Sequence, residues 1–259
     1  MARPKRWIES KIVDGMATFR LTSWKYFTDF IYKEMLDYED YIWRGNRCDD
    51  WLLESTLDRV LKHKRKRRWK FLMRKHLSSF KYAVRGRRGP NPQELETENE
   101  WWALGRHHGL AAPLLDWVTS PFVAAYFAFV NEGTNQTSQR AIYALSKHDT
   151  TRKSNEILSK GRTDIIKFVR PLSHENPRLV NQSGLFTRSP LGENIESWIK
   201  REFKGENGVY ILIKITIPNR DRLLCLRSLN RMNINHLTLF PDLYGASKFS
   251  NLNLSIDKY

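Results

Sequence analysis

Cysteine is nearly absent from this sequence. Cys48 and Cys225 are the two present, separated by most of the chain. They cannot make a disulfide framework or a cysteine zinc site, and they fit a reducing compartment. No apolar run approaches the ~20 residues needed to cross a bilayer. The opening Met-Ala-Arg-Pro-Lys-Arg-Trp lacks the apolar stretch of a signal peptide. The chain therefore reads as cytoplasmic, with no membrane partner expected. Several chemistry-bearing motifs are missing as well. There is no glycine-rich phosphate loop, no His-Glu-x-x-His and no Gly-x-Ser-x-Gly elbow. No metal is expected, since the close acids Glu94, Glu96, Glu98 and Glu100 read as the solvated start of a helix.

Acidic residues are also scarce. Against 28 Asp and Glu stand 44 Lys and Arg, a formal net charge of +16. Such an imbalance attracts polyanions or an acidic protein. With 259 residues, 41% hydrophobic and 12% aromatic, the chain can bury a large core without staples. Neither a long linker nor an internal repeat is visible, and a single domain over 1–259 is the simpler organisation.

Periodicity supplies the elements. Trp24, Phe27, Ile31 and Met35 mark an amphipathic helix within 22–39. Tyr41-Ile42-Trp43 reads as a short buried strand delivering Arg44 and Gly45. A helix is predicted from Pro92 through Trp101 and Trp102 to His107-His108, with Gly109 able to stop it. Ser120-Pro121 reads as an N-cap and first helical residue, followed by a buried helix to Val130. Segments 141–145 and 209–217 are strand-like, 219–231 helical, and 236–240 extended.

A basic helical insertion is predicted over 62–92. It opens with His63, Lys64, Arg65, Lys66, Arg67 and Arg68 and closes with Arg85, Gly86, Arg87 and Arg88. Such a run suits a solvated helix face. Trp69, Phe71, Phe80 and Tyr82 are interleaved, which also suits stacking on bases. Those Lys and Arg residues are the candidate nucleic-acid contacts.

Four motifs remain: Trp43-Arg44-Gly45; His107-His108-Gly109 leading to Leu114-Leu115-Asp116-Trp117-Val118-Thr119-Ser120-Pro121; Asn176 to Phe186, containing Gln182; and Leu239-Phe240-Pro241-Asp242-Leu243-Tyr244-Gly245. Together they resemble the FRG family, named for a Phe-Arg-Gly motif, from about Tyr41 to Gly245. Here Trp43 stands where that family has Phe or Tyr. Arg106 stands where it more often has Gln, and Ala112-Pro113-Leu114 where it often reads Thr-Arg-Leu. The order of parts is similar to the ADP-ribosyltransferase fold, which implies an α+β domain with mixed central sheets and flanking helices. It also implies NAD as substrate. Arg44 and Gly45, with His108, Thr119 and Ser120, would hold the dinucleotide, and Arg44, His107, Asp116 and Gln182 would carry the chemistry. An arginine fork suits a pyrophosphate. Gln182 supplies no negative charge, so an acid such as Asp116 or Asp242 must assist.

The resemblance therefore implies an NAD-dependent ADP-ribosyltransferase, a toxin or phage-defence effector acting on nucleic acid, RNA rather than DNA. An acidic antitoxin or inhibitor would be its protein partner. Two alternatives stay open. One is a non-enzymatic nucleic-acid- or partner-binding module in which Arg44, His107 and Asp116 form a buried polar network. The other is a metal-independent ribonuclease using His107 or His108 as general acid–base. The plain structural roles are an ion pair of Arg44 with Asp116, a cap for Ser120 and a core place for Tyr126.

Overall fold

A computed structural model describes residues 5–89, 91–92, 94–132, 137–170 and 184–259. Its centre is a mixed sheet of eight strands: β1 (Trp7–Glu9), β2 (Met16–Leu21), β3 (Tyr41–Asn46), β4 (Leu115–Val118), β5 (Gln139–Ser146), β6 (Lys167–Val169), β7 (Gly184–Arg188) and β8 (Leu212–Pro218). Their spatial order is β1-β2-β8-β5-β3-β4-β7-β6. Among the described residues only β2 and β8 run parallel; the other pairs are antiparallel. The described helices are α1 (Phe27–Phe30), α2 (Thr56–Leu61), α3 (Trp69–Ala83), α4 (Glu98–His107), α5 (Pro121–Phe129), α6 (Lys147–Ser159), α7 (Ile195–Glu202), α8 (Arg222–Arg231), α9 (His236–Leu239) and α10 (Leu243–Ser255). The protein is a mixed α+β chain, as its sequence predicts.

Both faces of the sheet are covered, and the alternation along β5 shows how. Ile142 and Ala144 point into one core, with α5 and α8, while Ala141, Tyr143 and Leu145 point into the other, with α6 and α7. A strand buried on both faces has no polar side to show, which is why this run is almost continuously apolar. A third cluster joins α2, α3 and α4 to Leu114, Val169 and Phe186 beside β4, β6 and β7.

Local chemistry sets most boundaries. Helix α5 starts at Pro121 with Ser120 accepting from the Val123 amide at 3.4 Å, so the predicted cap is present. Three boundaries differ from expectation. Helix α4 begins at Glu98, not Pro92. Thr97 caps it in a box with Glu100, satisfying orphan amides that Pro92 could not organise. Residues 236–239, expected to be extended, form a helical turn because Asn235 caps the Thr238 amide at 3.1 Å. The 22–39 helix is a series of short 3₁₀, α and π turns between Trp24 and Met35.

Candidate functional site

Strand β3 lies between β5 and β4, and its two edges differ. With β5 it is paired at six positions, from Tyr41–Ser146 to Asn46–Ala141. With β4 it is paired only at Trp43–Val118. Beyond that pair the strands part, and the Arg44 side chain spans the seam. Its Nη1 donates to the backbone carbonyl of Asp116 at 2.7 Å, an acceptor that a neighbouring strand would normally pair. The same Nη1 is 3.8 Å from Asp116 Oδ2. The predicted ion pair between these residues is therefore present.

Asp116 has a second and closer partner. Arg106, in the last turn of α4, donates to Asp116 Oδ2 from Nη2 at 2.7 Å and Nε at 3.1 Å. Thr56 Oγ1 lies 3.5 Å from Arg106 Nη1 and holds the Ala112 amide at 3.1 Å, tying the head of α2 to this corner. One carboxylate thus sits between two guanidinium groups. Burial pushes the Asp116 carboxyl up, but Arg106 and Arg44 outweigh it and hold its pKa below the ordinary value. Burial lowers Arg44 to about 10, with Asp116 opposing the shift. Asp116 and Arg44 are therefore both charged at neutral pH, with a second guanidinium beside them.

This cluster opens into a cavity of about 410 Å³ lined by Trp43, Arg44, Gly45, Arg106, Asp116, Trp117, Val118, Phe127, Asn131, Gly184, Leu185, Phe186 and Phe240. The Arg44 side chain is 20% exposed and that of Asp116 is 43% exposed, so both reach the opening. Arg44 Nε is buried and has no hydrogen-bond partner among the described residues, a feature it shares with Arg140 Nη2. Aromatic walls with a few convergent charged groups are the usual make-up of a small-molecule pocket, and the volume lies within the ordinary range of roughly 300–1,000 Å³.

The predicted residues divide on this geometry. Arg44, Gly45 and Asp116 come together at the cavity. Gly45, however, has a packing reason to be glycine. A Cβ there would lie 2.0 Å from the Ala124 carbonyl and 2.6 Å from the Ala128 amide, so it is α5, not a pyrophosphate, that requires the bare backbone. His107 and His108 are not among the cavity's lining residues. His107 ends α4, and its ring meets that of His108 edge-on, 4.8 Å away. The helix turns about 100° per residue, so the stripe containing buried Trp102 brings Arg106 to the sheet and carries its neighbour aside. Arg106 is the residue that sequence reasoning missed. Its signal was its position four residues after Trp102.

Thr119 is exposed beyond the end of β4, and Ser120 is engaged as the α5 cap; neither lines the cavity. Asp242 caps α10, accepting from the Gly245 amide at 2.8 Å, while its neighbour Phe240 lines the pocket. Val180, Asn181 and Gln182 lie outside the described residues; Gly184, just after them, lines the cavity. Tyr126 is fully buried in the core, as expected, with its hydroxyl bonded to His236 Nδ1. The nucleic-acid candidates Lys64, Arg65, Lys66, Arg67, Arg68, Arg85 and Arg87 are exposed, and Arg88 is partly covered and lies 5.4 Å from the Trp101 ring centre. Among the described residues no group of His, Cys, Asp and Glu could hold a metal, and no helix is long and apolar enough to cross a membrane.

Residues 39–137, the stretch that holds Arg44, Arg106 and Asp116, match the family model of the FRG domain. Neither the curated proteins nor the solved structures contain a match to the chain.

Proposed function

We propose that this chain consumes NAD at the β3–β4 seam and transfers ADP-ribose to nucleic acid, RNA in preference to DNA. The observation that carries the reading is the Arg44–Asp116–Arg106 cluster at the mouth of an aromatic-walled cavity. Two guanidinium groups suit a diphosphate, and the aromatic walls suit the flat rings at the two ends of a dinucleotide. The acid missing from Gln182 is supplied by Asp116.

In the reaction, the bond between ribose C1′ and the nicotinamide nitrogen breaks, and its electron pair leaves with neutral nicotinamide. The positive charge passes to the ribose. A lone pair on an oxygen or nitrogen of the acceptor then bonds to C1′, and the acceptor's proton passes to water. Asp116 is held ionised by its arginine neighbours, so it acts as a fixed negative charge beside the cationic ribose and not as a strong base. In a cell such chemistry fits a toxin or phage-defence effector restrained by an acidic inhibitor, for which the surplus of basic charge supplies a binding face.

The test is incubation of the purified protein with labelled NAD and total RNA. Release of nicotinamide and transfer of label are expected for the native chain and lost in Arg44→Ala. Neither release nor transfer to RNA, DNA or protein by the native chain rejects the reading.

A second reading rests on the same cluster. Asp116 is already satisfied by two arginines, as it would be in a binding module whose polar network only orders the seam. That module predicts a loss of several degrees in melting temperature for Arg44→Ala. The catalytic reading predicts a nearly unchanged melt. The histidine ribonuclease receives no support from the cavity, since no histidine among the described residues lines it.

A further inference from the structure

We infer that the outer face of α3 is a stacking platform for single-stranded nucleic acid and excludes duplex as its preferred ligand. The inference refines the acceptor in the reading above, but its test needs no NAD, so either can fail alone.

Helix α3 turns Leu77 into the third core cluster, with Leu72 and Met73 packed against it. The opposite face is where the unusual residues fall. Phe71 is 58% exposed and Tyr82 is 69% exposed. Eleven residues of helix return to the same direction within about 20°, so both rings project from one stripe, about 16 Å apart along the axis. Lys75 and Ser78 lie on the stripe between them, and Arg74 and Lys81 flank it. Two exposed aromatics on one stripe of an otherwise cationic helix suit a ligand with flat apolar faces and negative charge.

The charge around this stripe is of one sign. From Arg59 to Gln93 the sequence contains fourteen Lys and Arg and no Asp or Glu. Lys62 finds a carboxylate outside the run, Glu54, at 2.8 Å. The guanidinium of Arg85 stacks over one face of the Tyr82 ring, 3.7 Å from its centre, so a base would use the other face of this 69% exposed residue. The platform is also held in place. The Trp69 indole donates to the Lys64 carbonyl at 3.0 Å, fixing the basic turn at the head of the helix. His76 Nε2 lies 3.1 Å from the Ala111 carbonyl. Phe80 packs against α4 at Gly105, one residue before Arg106. The packed face of α3, opposite the stripe, thus braces the helix that supplies Arg106 to the cavity.

Aromatic stacking discriminates by strandedness. Bases in a duplex are already stacked and cannot reach a side chain, whereas unpaired bases can. Lys and Arg alone would bind both forms.

The test is fluorescence anisotropy with a labelled twelve-nucleotide single-stranded RNA and with the same sequence annealed to its complement. The single strand is expected to bind at least tenfold more tightly. The double variant Phe71→Ala/Tyr82→Ala should erase most of that preference while leaving duplex binding within about twofold. Because both side chains are exposed, its melting temperature should match the native value. Arg74→Gln/Lys75→Gln should weaken both ligands together and flatten the salt dependence by about one unit of log–log slope for each phosphate no longer neutralised. Equal affinity for the two forms, an unchanged preference in the aromatic variant, or tighter binding to phosphatidylserine vesicles than to either RNA overturns the inference.

Discussion

The two edges of β3 carry nearly adjacent residues to opposite fates. Toward β5 the strand is closed by six paired positions, and beyond them sits Arg140, 1% exposed. Its guanidinium bonds to the Ala128 carbonyl, to the Asn131 carbonyl at 2.9 Å and to Asn219 Oδ1 at 2.7 Å. With Arg222, which donates to the Phe129 and Val130 carbonyls at 3.0 and 3.1 Å, it satisfies the otherwise unpaired end of α5. Toward β4 the strand is closed at one position, and Arg44 bridges the gap to a single carbonyl and a shared carboxylate. Both arginines are shifted to about 10 by burial. One is held by two backbone carbonyls and an asparagine side chain in the core, and the other faces a cavity. Burial of a charge therefore does not separate structural from functional arginine; the identity and permanence of its acceptors do.

The comparison can be broken or sharpened by experiment. The largest effect is expected at Gly45, which both edges share. Gly45→Ala pushes a methyl into the α5 backbone and should cost more than about 4 kcal/mol, measured by urea unfolding. A folded, fully stable variant would show that α5 can move away from β3. On the closed edge, Arg140→Met strands buried carbonyls and should cost about 3 kcal/mol. On the open edge, Arg44→Ala should lower NAD turnover by roughly 10²-fold or more with a nearly unchanged melt. A reversal of these last two outcomes would assign the structural arginine to the seam.

Two smaller effects follow. His236 is buried behind α5, and burial lowers its pKa to about 4. Between roughly pH 6.5 and 4 the unfolded chain binds a proton there that the folded chain does not, so stability falls as pH falls through that window. The loss should be on the order of 2–3 kcal/mol, and His236→Gln should lack it in pH-dependent melts. Ser120→Ala removes the α5 cap and should cost about 1 kcal/mol. If the KM for NAD also rises severalfold, the cap region touches the ligand as well.

Much of this architecture can be read from the residues in order. The apolar run 209–217, of which Leu212 onward forms β8 (Leu212–Pro218), the Ser120-Pro121 start and the buried helix after it state most of their own structure, because alternation, capping and proline geometry act within a few residues. Asp116 is one acid that the sequence offers as an ion-pair partner for Arg44, and the two lie 3.8 Å apart across the seam. His107 and His108 drew attention for their chemistry, while the direction of Arg106 depends on how α4 is rotated against the sheet. Position 182 lies outside the described residues, so the later motif is represented at the cavity by Gly184, Leu185 and Phe186 alone.

Composition and local pattern by themselves determined a basic α+β chain, its main strands and caps, while the candidacy of Arg44 and Asp116 came from motifs that resemble the FRG family. Only the tertiary structure decided that β3 and β4 part after one pair, that Arg106 closes the cluster from α4, and that Gly45 serves α5. Those outcomes depend on helix rotation and strand separation between segments tens of residues apart, and no short-range rule fixes either.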